Sequence, residues 1–202
     1  MKQVIFLNGP PRCGKDTIAA MKGNHGTTKF AQPIRDAAKT FFKNSLSLEL
    51  TDVNYDEWKE KEIIKGSGVT LRQWMINWSE KFMKPTFGED IFGKLASEKI
   101  ERLLHQHDVV FITDSGFLQE AERVIEHFNS SSVPFSPQFI LLRIFREGCT
   151  FKNDSRSYID VPNNILDLDI KNDQTINHLH ATVKIKLREI QLNELTKLLS
   201  EK

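Results

Sequence analysis

Cysteine is nearly absent from this chain, and the two residues present are not arranged for metal. Cys13 and Cys149 stand far apart, without the spacing of a ligand cluster. So sparse a use of thiols fits a reducing, cytoplasmic setting. Long apolar runs are missing as well, so no segment approaches the length that spans a bilayer. The N-terminal run Val4–Leu7 is too short for a signal peptide and leads into a glycine loop. Charge of one sign is not in excess: 28 basic residues face 27 acidic ones, a net charge of +1. The charges are interspersed, so nucleic acid is not the expected partner and neither is a membrane surface. The six histidines follow no catalytic or metal pattern, and His105 and His107 read as surface residues. No repeat and no low-complexity tract is present. What remains is one chain of 202 residues, enough for a single sizeable core with a small insertion.

Against these absences one motif stands out, Gly9-Pro10-Pro11-Arg12-Cys13-Gly14-Lys15-Asp16-Thr17. An apolar strand-like run precedes it, and the helix formers Thr17–Met21 follow. Strand, glycine loop and helix form the context of a phosphate-binding P-loop. The glycines let backbone amides converge on a phosphate, and a helix N-terminus adds partial positive charge. Lys15 supplies a mobile point charge for the outer phosphates, and Arg12 lies in the same loop as a second candidate for the reaction centre. The residue after the lysine is ordinarily Ser or Thr, with a hydroxyl for Mg²⁺. Here it is Asp16, whose carboxylate is also a hard oxygen ligand, and Thr17 keeps a hydroxyl one position on. Cys13, among amides beside Lys15 at a helix start, is expected to have a lowered thiol pKa and to be sensitive to alkylation.

Strand-like runs recur at Val4–Leu7, Val109–Thr113, Phe139–Phe145 and Ile165–Ile170. Helical patterns fall between them, at Pro33–Phe42, Leu71–Met83 with Thr70 as N-cap, Phe92–Leu104 and Phe117–Phe128. A long helix over Thr175–Leu199 is expected to break or bend near His180. Alternating strands and helices predict an α/β, three-layer P-loop sandwich. Its mainly parallel sheet of about five strands has helices on both faces. Residues 1–202 form one domain in this reading. A helical, substrate-binding insertion spans about 45–90, a lid spans about 146–160, and Ser130–Pro134 is a surface loop.

Asp114 ends the run Val109–Thr113, where a carboxylate faces the ligand crevice of a parallel sheet. It is a candidate for the Mg²⁺ shell or the acceptor, or a cap for the helix that follows. Arg146 and Arg156 sit in a polar loop with Lys152, Asn153, Asp154, Ser155 and Ser157. Arginines on a closing loop suit phosphoryl transfer, because they neutralise charge on the moving group while water is excluded. Arg35 and Arg72 are candidates to grip an acceptor phosphate bidentately. Trp74, Trp78, Phe82 and Phe87 either stack a base or fill a core, and helical spacing favours the core.

Taken in order, these pieces resemble the bacteriophage-type deoxynucleoside monophosphate kinases, a branch of the P-loop nucleoside monophosphate kinases. The matching residues are Gly9–Thr17, Phe30-Ala31-Gln32-Pro33-Ile34-Arg35, and Thr113-Asp114 with Phe117 and Glu120-Ala121. Further matches are Arg146-Glu147-Gly148, Asp154–Ser157 and Ile170–Asp173. The resemblance implies ATP and Mg²⁺ as cofactors and a deoxynucleoside monophosphate as acceptor. It gives Lys15 and its loop the donor phosphates and Arg146 and Arg156 a lid role, and it sets Asn172 and Asp173 near the donor adenine. Arg35, Arg72 and Trp74 are then the acceptor-side candidates. The partners are small-molecule nucleotides, and a homodimer is left open. The family's arginine two residues past the aspartate is here Gly116, which removes one cation and is expected to leave room for a bulkier base.

Overall fold

The computed structural model describes residues 1–51, 54–130, 133–152, 154–161 and 165–200. Ser131, Ser132 and Asn153, named above in loop and lid, lie outside the described residues. The elements follow in chain order. They are β1 (Gln3–Asn8), α1 (Lys15–Ala19), β2 (His25–Thr28), α2 (Gln32–Leu46), α3 (Tyr55–Trp58) and α4 (Leu71–Trp78). A π-helical turn, Ser79–Met83, then joins α4 to α5 (Lys84–Phe87). Next come α6 (Ile91–Gln106), β3 (Val109–Ser115), α7 (Leu118–Asn129), β4 (Gln138–Phe145), β5 (Leu166–Lys171) and α8 (Ile176–Ser200).

The five strands lie in the order β2-β3-β1-β4-β5, and every pairing is parallel. A strand buried on both faces sends alternate side chains to opposite layers. Val4 and Phe6 of β1 accordingly enter one core, with Val110 and Ile112 of β3 and the apolar faces of α6 and α7. Ile5 and Leu7 enter the other, with Phe111, Ile18 of α1, and Leu179 and Val183 of α8. This is the expected three-layer sandwich. The strand that apolar patterning misses is β2. Its sequence His-Gly-Thr-Thr carries no apolar alternation, yet Gly26 and Thr28 are buried. Gly26 lets α6 sit close, since a Cβ there would fall 3.0 Å from the His107 ring and 3.2 Å from Leu103.

Local chemistry sets the helix ends. Thr70 caps α4 as expected, its hydroxyl accepting from Gln73 N at 3.2 Å. Pro33 opens α2, and Ser47, at φ +53°, closes it as Leu48 N returns to the Phe42 carbonyl at 3.1 Å. The helical run expected over Leu71–Met83 continues to Phe87, where Gly88, at φ +104°, ends it. The expected break near His180 does not occur. Helix α8 runs through it, because that ring docks on α1 at the Thr17 carbonyl, 2.9 Å away. A satellite core of Ala38, Phe42, Leu50, Tyr55 and Leu71 binds the 45–90 segment to α2. Among the described residues no helix is long and apolar enough to cross a membrane.

Candidate functional site

The sheet reverses its winding direction beside β1. From β1 the chain moves across β3 to β2, and from β3 it returns past β1 to β4. Ligands of open parallel sheets bind at such a switch point, outside the carboxyl ends of the strands. The glycine loop leaves β1 at that place. Two positions in it admit only glycine. A Cβ on Gly9 would lie 2.7 Å from Cys13 Sγ and 2.7 Å from the Ile144 carbonyl. Gly14 sits at φ +113°, and a Cβ there would meet Asn172 Nδ2 at 2.5 Å. Helix α1 is only five residues long and gives way to a turn at Ala20, short of the expected Met21.

Lys15 folds back on its own loop. Its ammonium donates to the carbonyls of Gly9, at 2.6 Å, and Pro10, at 2.7 Å, and only 7% of the residue is exposed. Burial lowers its pKa, and the nearby charge of Arg156 adds to that. A lysine held by neutral carbonyls keeps its charge inside the loop, where a phosphate would replace those partners. Cys13 corrects one expectation. It is fully buried, and burial pushes its thiol up rather than down, with Lys15 opposing the shift without prevailing. Asn172, next after β5, sits against the loop. Its amide donates to the Cys13 carbonyl at 2.7 Å and braces the loop from β5. Asp173 accepts from Glu147 N at 3.0 Å, so it holds the turn after β4.

Asp16 is well exposed and paired with Lys29 at 2.9 Å. Burial raises its pKa, but hydrogen bonding and charge from Lys29 outweigh that and hold the carboxyl below its usual value. It lines a cavity of about 270 Å³ together with Thr28, Lys29, Gln32 and Thr113. The Thr113 hydroxyl at that wall is buried without a hydrogen-bond partner. Asp114, on the opposite face of β3, has both oxygens engaged. They accept from Phe30 N at 2.7 Å and Ala31 N at 3.1 Å. It therefore pins the entry to α2 instead of capping α7, whose N-cap Phe117 receives no side-chain bond.

The lid segment is docked. Asn8, a fully buried residue that the sequence reading missed, donates to the Ser115 and Ser157 carbonyls at 2.8 and 2.9 Å. Its carbonyl oxygen accepts from Ile159 N at 3.1 Å. Its signal was a polar side chain ending an otherwise apolar strand. Arg146 reaches the glycine loop, donating to the Arg12 carbonyl at 3.2 Å. Arg156 is gripped by Asp154 through Nε at 2.8 Å and Nη2 at 2.6 Å. Its stem lies across Gly116, where a Cβ would fall 2.5 Å from Arg156 Cβ and 2.6 Å from Cγ. The room expected at Gly116 is thus filled by the lid arginine.

The acceptor-side candidates divide. The Arg35 guanidinium stacks 3.8 Å above the Tyr55 ring, and its Nε is buried without a hydrogen-bond partner. Arg72 is paired with Glu60 on the surface of the insertion. Trp74 is packed among Phe41, Phe42 and Trp78, which supports the core reading. Two further residues stand nearby: Lys84, not singled out from sequence, and Glu120, named there only among the residues of the resemblance. Lys84 is 5% exposed, lies 4.0 Å from the Phe117 ring centroid and pairs with Glu80 at 2.8 Å. Glu120 is 4% exposed, on the buried stripe of α7 with Ala121, Val124 and Phe128. A carboxylate four residues before Val124 on that stripe was the legible signal for Glu120. Nothing in the pattern around Lys84 announced it.

No protein-family model matches this sequence, and no curated protein matches it. Among solved structures the chain is similar to the unliganded crystal structure of a sugar kinase from Janibacter sp. HTCC2649. The identity is 11%, the TM-score is 0.46, and the match covers 93% of this chain and 95% of that one. A likeness at that level leaves the function to be argued from the site.

Proposed function

We propose that this chain transfers a phosphoryl group from MgATP to a deoxynucleoside monophosphate, giving the diphosphate. The observation that carries this reading is the glycine loop at the sheet's switch point, with Lys15 buried on its carbonyls and two arginines from the β4–β5 segment beside it. Phosphoryl transfer asks little covalent chemistry of a protein. Positioning and charge stabilisation do most of the work. The loop amides and Lys15 would take the donor's outer phosphates. Arg146 is anchored on Arg12 and Arg156 on Asp154, so their side chains converge on the loop without long searching.

The residues present fit Mg²⁺. Asp16 is an exposed hard donor, and the unpartnered Thr113 hydroxyl faces the same cavity. Among the described residues no cluster of three or more His, Cys, Asp or Glu could hold a metal alone. Mg²⁺ commonly takes one or two protein oxygens together with substrate phosphates and water. Asp16 and Thr113 would hold it, and when bound it neutralises charge on the donor phosphates.

The acceptor is read as a monophosphate for two reasons. The chain resembles the deoxynucleoside monophosphate kinases over the motifs quoted above. Arg35 also carries a buried, unpartnered donor on a guanidinium oriented by Tyr55, the geometry for a bidentate phosphate grip. Competition between monophosphates and the matching nucleosides tests it, with DNA as a separate acceptor. Phosphorylation of monophosphates alone is expected. Equal phosphorylation of free nucleosides would remove the acceptor-phosphate grip, and transfer to DNA would replace the acceptor.

A further inference from the structure

Among the described residues, the cavity beside the glycine loop is lined by one acid, Asp16, and one base, Lys29. It encloses about 270 Å³ between α1, the corner from β2 into α2, and the end of β3. The Lys29 ammonium donates to Asp16 Oδ1 at 2.9 Å, with 30% of the lysine side chain exposed against 76% of the aspartate's. The backbone beneath the lysine is fixed. The two amides that follow it, Phe30 N and Ala31 N, both donate to Asp114, at 2.7 and 3.1 Å. Beyond that anchor a lysine has a flexible four-carbon stem and three rotatable donors. The root of Lys29 is therefore held while its charged end can swing. Another feature marks the cavity as unfinished without a polar ligand. Thr113 is 4% exposed, and its hydroxyl, at the cavity wall, has no hydrogen-bond partner.

We propose that Lys29 is a further catalytic residue, which leaves Asp16 when that carboxylate takes Mg²⁺ and then sets its charge on the phosphoryl group in transfer. This rests on the reading of the chain as a nucleotide kinase with Asp16 in its metal shell. As a surface ion pair the bond contributes little to stability; its bearing is on Asp16. The ammonium stands on a carboxylate oxygen that a divalent cation would use, so Oδ1 cannot serve a metal while Lys29 is bonded there. Once displaced, the ammonium finds no second carboxylate in the cavity lining. Asp114 lies on the opposite face of β3 with both oxygens engaged. Mg²⁺ sites share the ion between protein carboxylates and substrate phosphates. The phosphoryl oxygens are then the negative charge nearest to the freed lysine. Phosphoryl transfer is helped chiefly by cations aimed at those oxygens. The same pair guards the acid when no nucleotide is bound. Metal should bind Asp16 weakly until a phosphate gives Lys29 a new partner.

The test uses the full chain and two substitutions. Lys29→Met keeps the length of the stem and removes the charge, whereas Lys29→Arg keeps the charge. With MgATP and a panel of nucleoside monophosphates, Lys29→Met should lower kcat and kcat/KM together by at least ~10-fold. Lys29→Arg should recover most of that loss. Unchanged kcat in Lys29→Met, beside an active wild type, would overturn the proposal alone. The second readout needs no turnover. Mn²⁺, followed by electron paramagnetic resonance, is titrated into the nucleotide-free proteins. Lys29→Met should bind it several-fold more tightly than the wild type, because Asp16 is freed, and adding Asp16→Asn should abolish the gain. Equal Mn²⁺ affinity in wild type and Lys29→Met, or a gain that survives Asp16→Asn, would overturn the proposal even where kcat falls. Transfer to no monophosphate by the wild type would sink the kinase reading itself, and this role with it.

Discussion

The two ends of the proposed cleft are built differently. At the proposed donor end most polar groups have partners within the protein. Lys15 is held by Gly9 and Pro10, the Cys13 carbonyl by Asn172, and the Arg12 carbonyl by Arg146. At the proposed acceptor end the Arg35 Nε is buried and unpartnered over the Tyr55 ring. On the proposed function, the difference teaches that the donor loop is preformed, whereas the acceptor side is left for a ligand to complete. A preformed loop costs less to order on binding. Unpartnered groups are where discrimination between acceptors can be large, because the wrong ligand leaves them unpaired.

Four substitutions or treatments break or sharpen this contrast, from the largest expected effect to the smallest. Lys15→Ala should lower turnover by at least ~100-fold, the scale of one lost transition-state contact. Thermal unfolding should show the fold intact, since the lysine's partners are neutral carbonyls. Near-normal turnover in the folded variant would end the donor-loop assignment.

The second acts on the acceptor end through stability. Glu120 has a folded pKa raised from 4.5 to about 8. A raised pKa gives stability that is present below the unfolded value and is lost as pH climbs toward the folded one. Between pH 5 and pH 7 the wild type should therefore lose roughly 2 kcal/mol relative to Glu120→Gln, as an upper figure from linkage. Urea unfolding of both proteins at the two pH values measures it. A difference that does not change with pH would mean the carboxyl is not held neutral.

Arg156 joins the two ends. Arg156→Ala should reduce kcat and kcat/KM together, by about tenfold or more, as expected for a contact made in the transition state. Gly116→Ala should reproduce that loss, because its Cβ would displace the Arg156 stem. The double variant should be no worse than either single one. Independent losses that add would separate Gly116 from the lid.

The smallest effect concerns Cys13. Being fully buried with a raised thiol pKa, it should react with iodoacetamide more slowly than Cys149, which is partly exposed. Mass spectrometry of partially alkylated protein, with and without ATP, reads the order. Faster labelling at Cys13 would mean that the donor loop opens readily and is not preformed.

Much of this arrangement was legible in the sequence, and the exceptions have physical reasons. Strands β1, β3 and β4 announce themselves because burial on both faces demands continuous apolar runs, whereas the edge strand β5 shows as the alternation Leu166-Asp167-Leu168-Asp169-Ile170. Strand β2 does not, because its burial is made by a glycine and a threonine under α6. The glycine loop was legible because backbone geometry fixes its glycines. Asn8, Lys84 and the role of Arg156 over Gly116 were not, because each depends on which segments fold together. The Asn8 bonds span separations of 107, 149 and 151 residues. Of the roles read for Asp114, the capping one is met at the entry to α2 rather than at α7, since α2 lies beside it in space and α7 only in sequence.

The most direct test of the account is ATP consumption by the wild-type chain, measured with and without each nucleoside monophosphate and paired with identification of the product. The account predicts consumption that requires a monophosphate and matches formation of the corresponding diphosphate mole for mole. Bound ATP that is held or slowly hydrolysed at the same rate whatever acceptor is present would contradict it, and would mark the chain as a nucleotide-binding module without transfer.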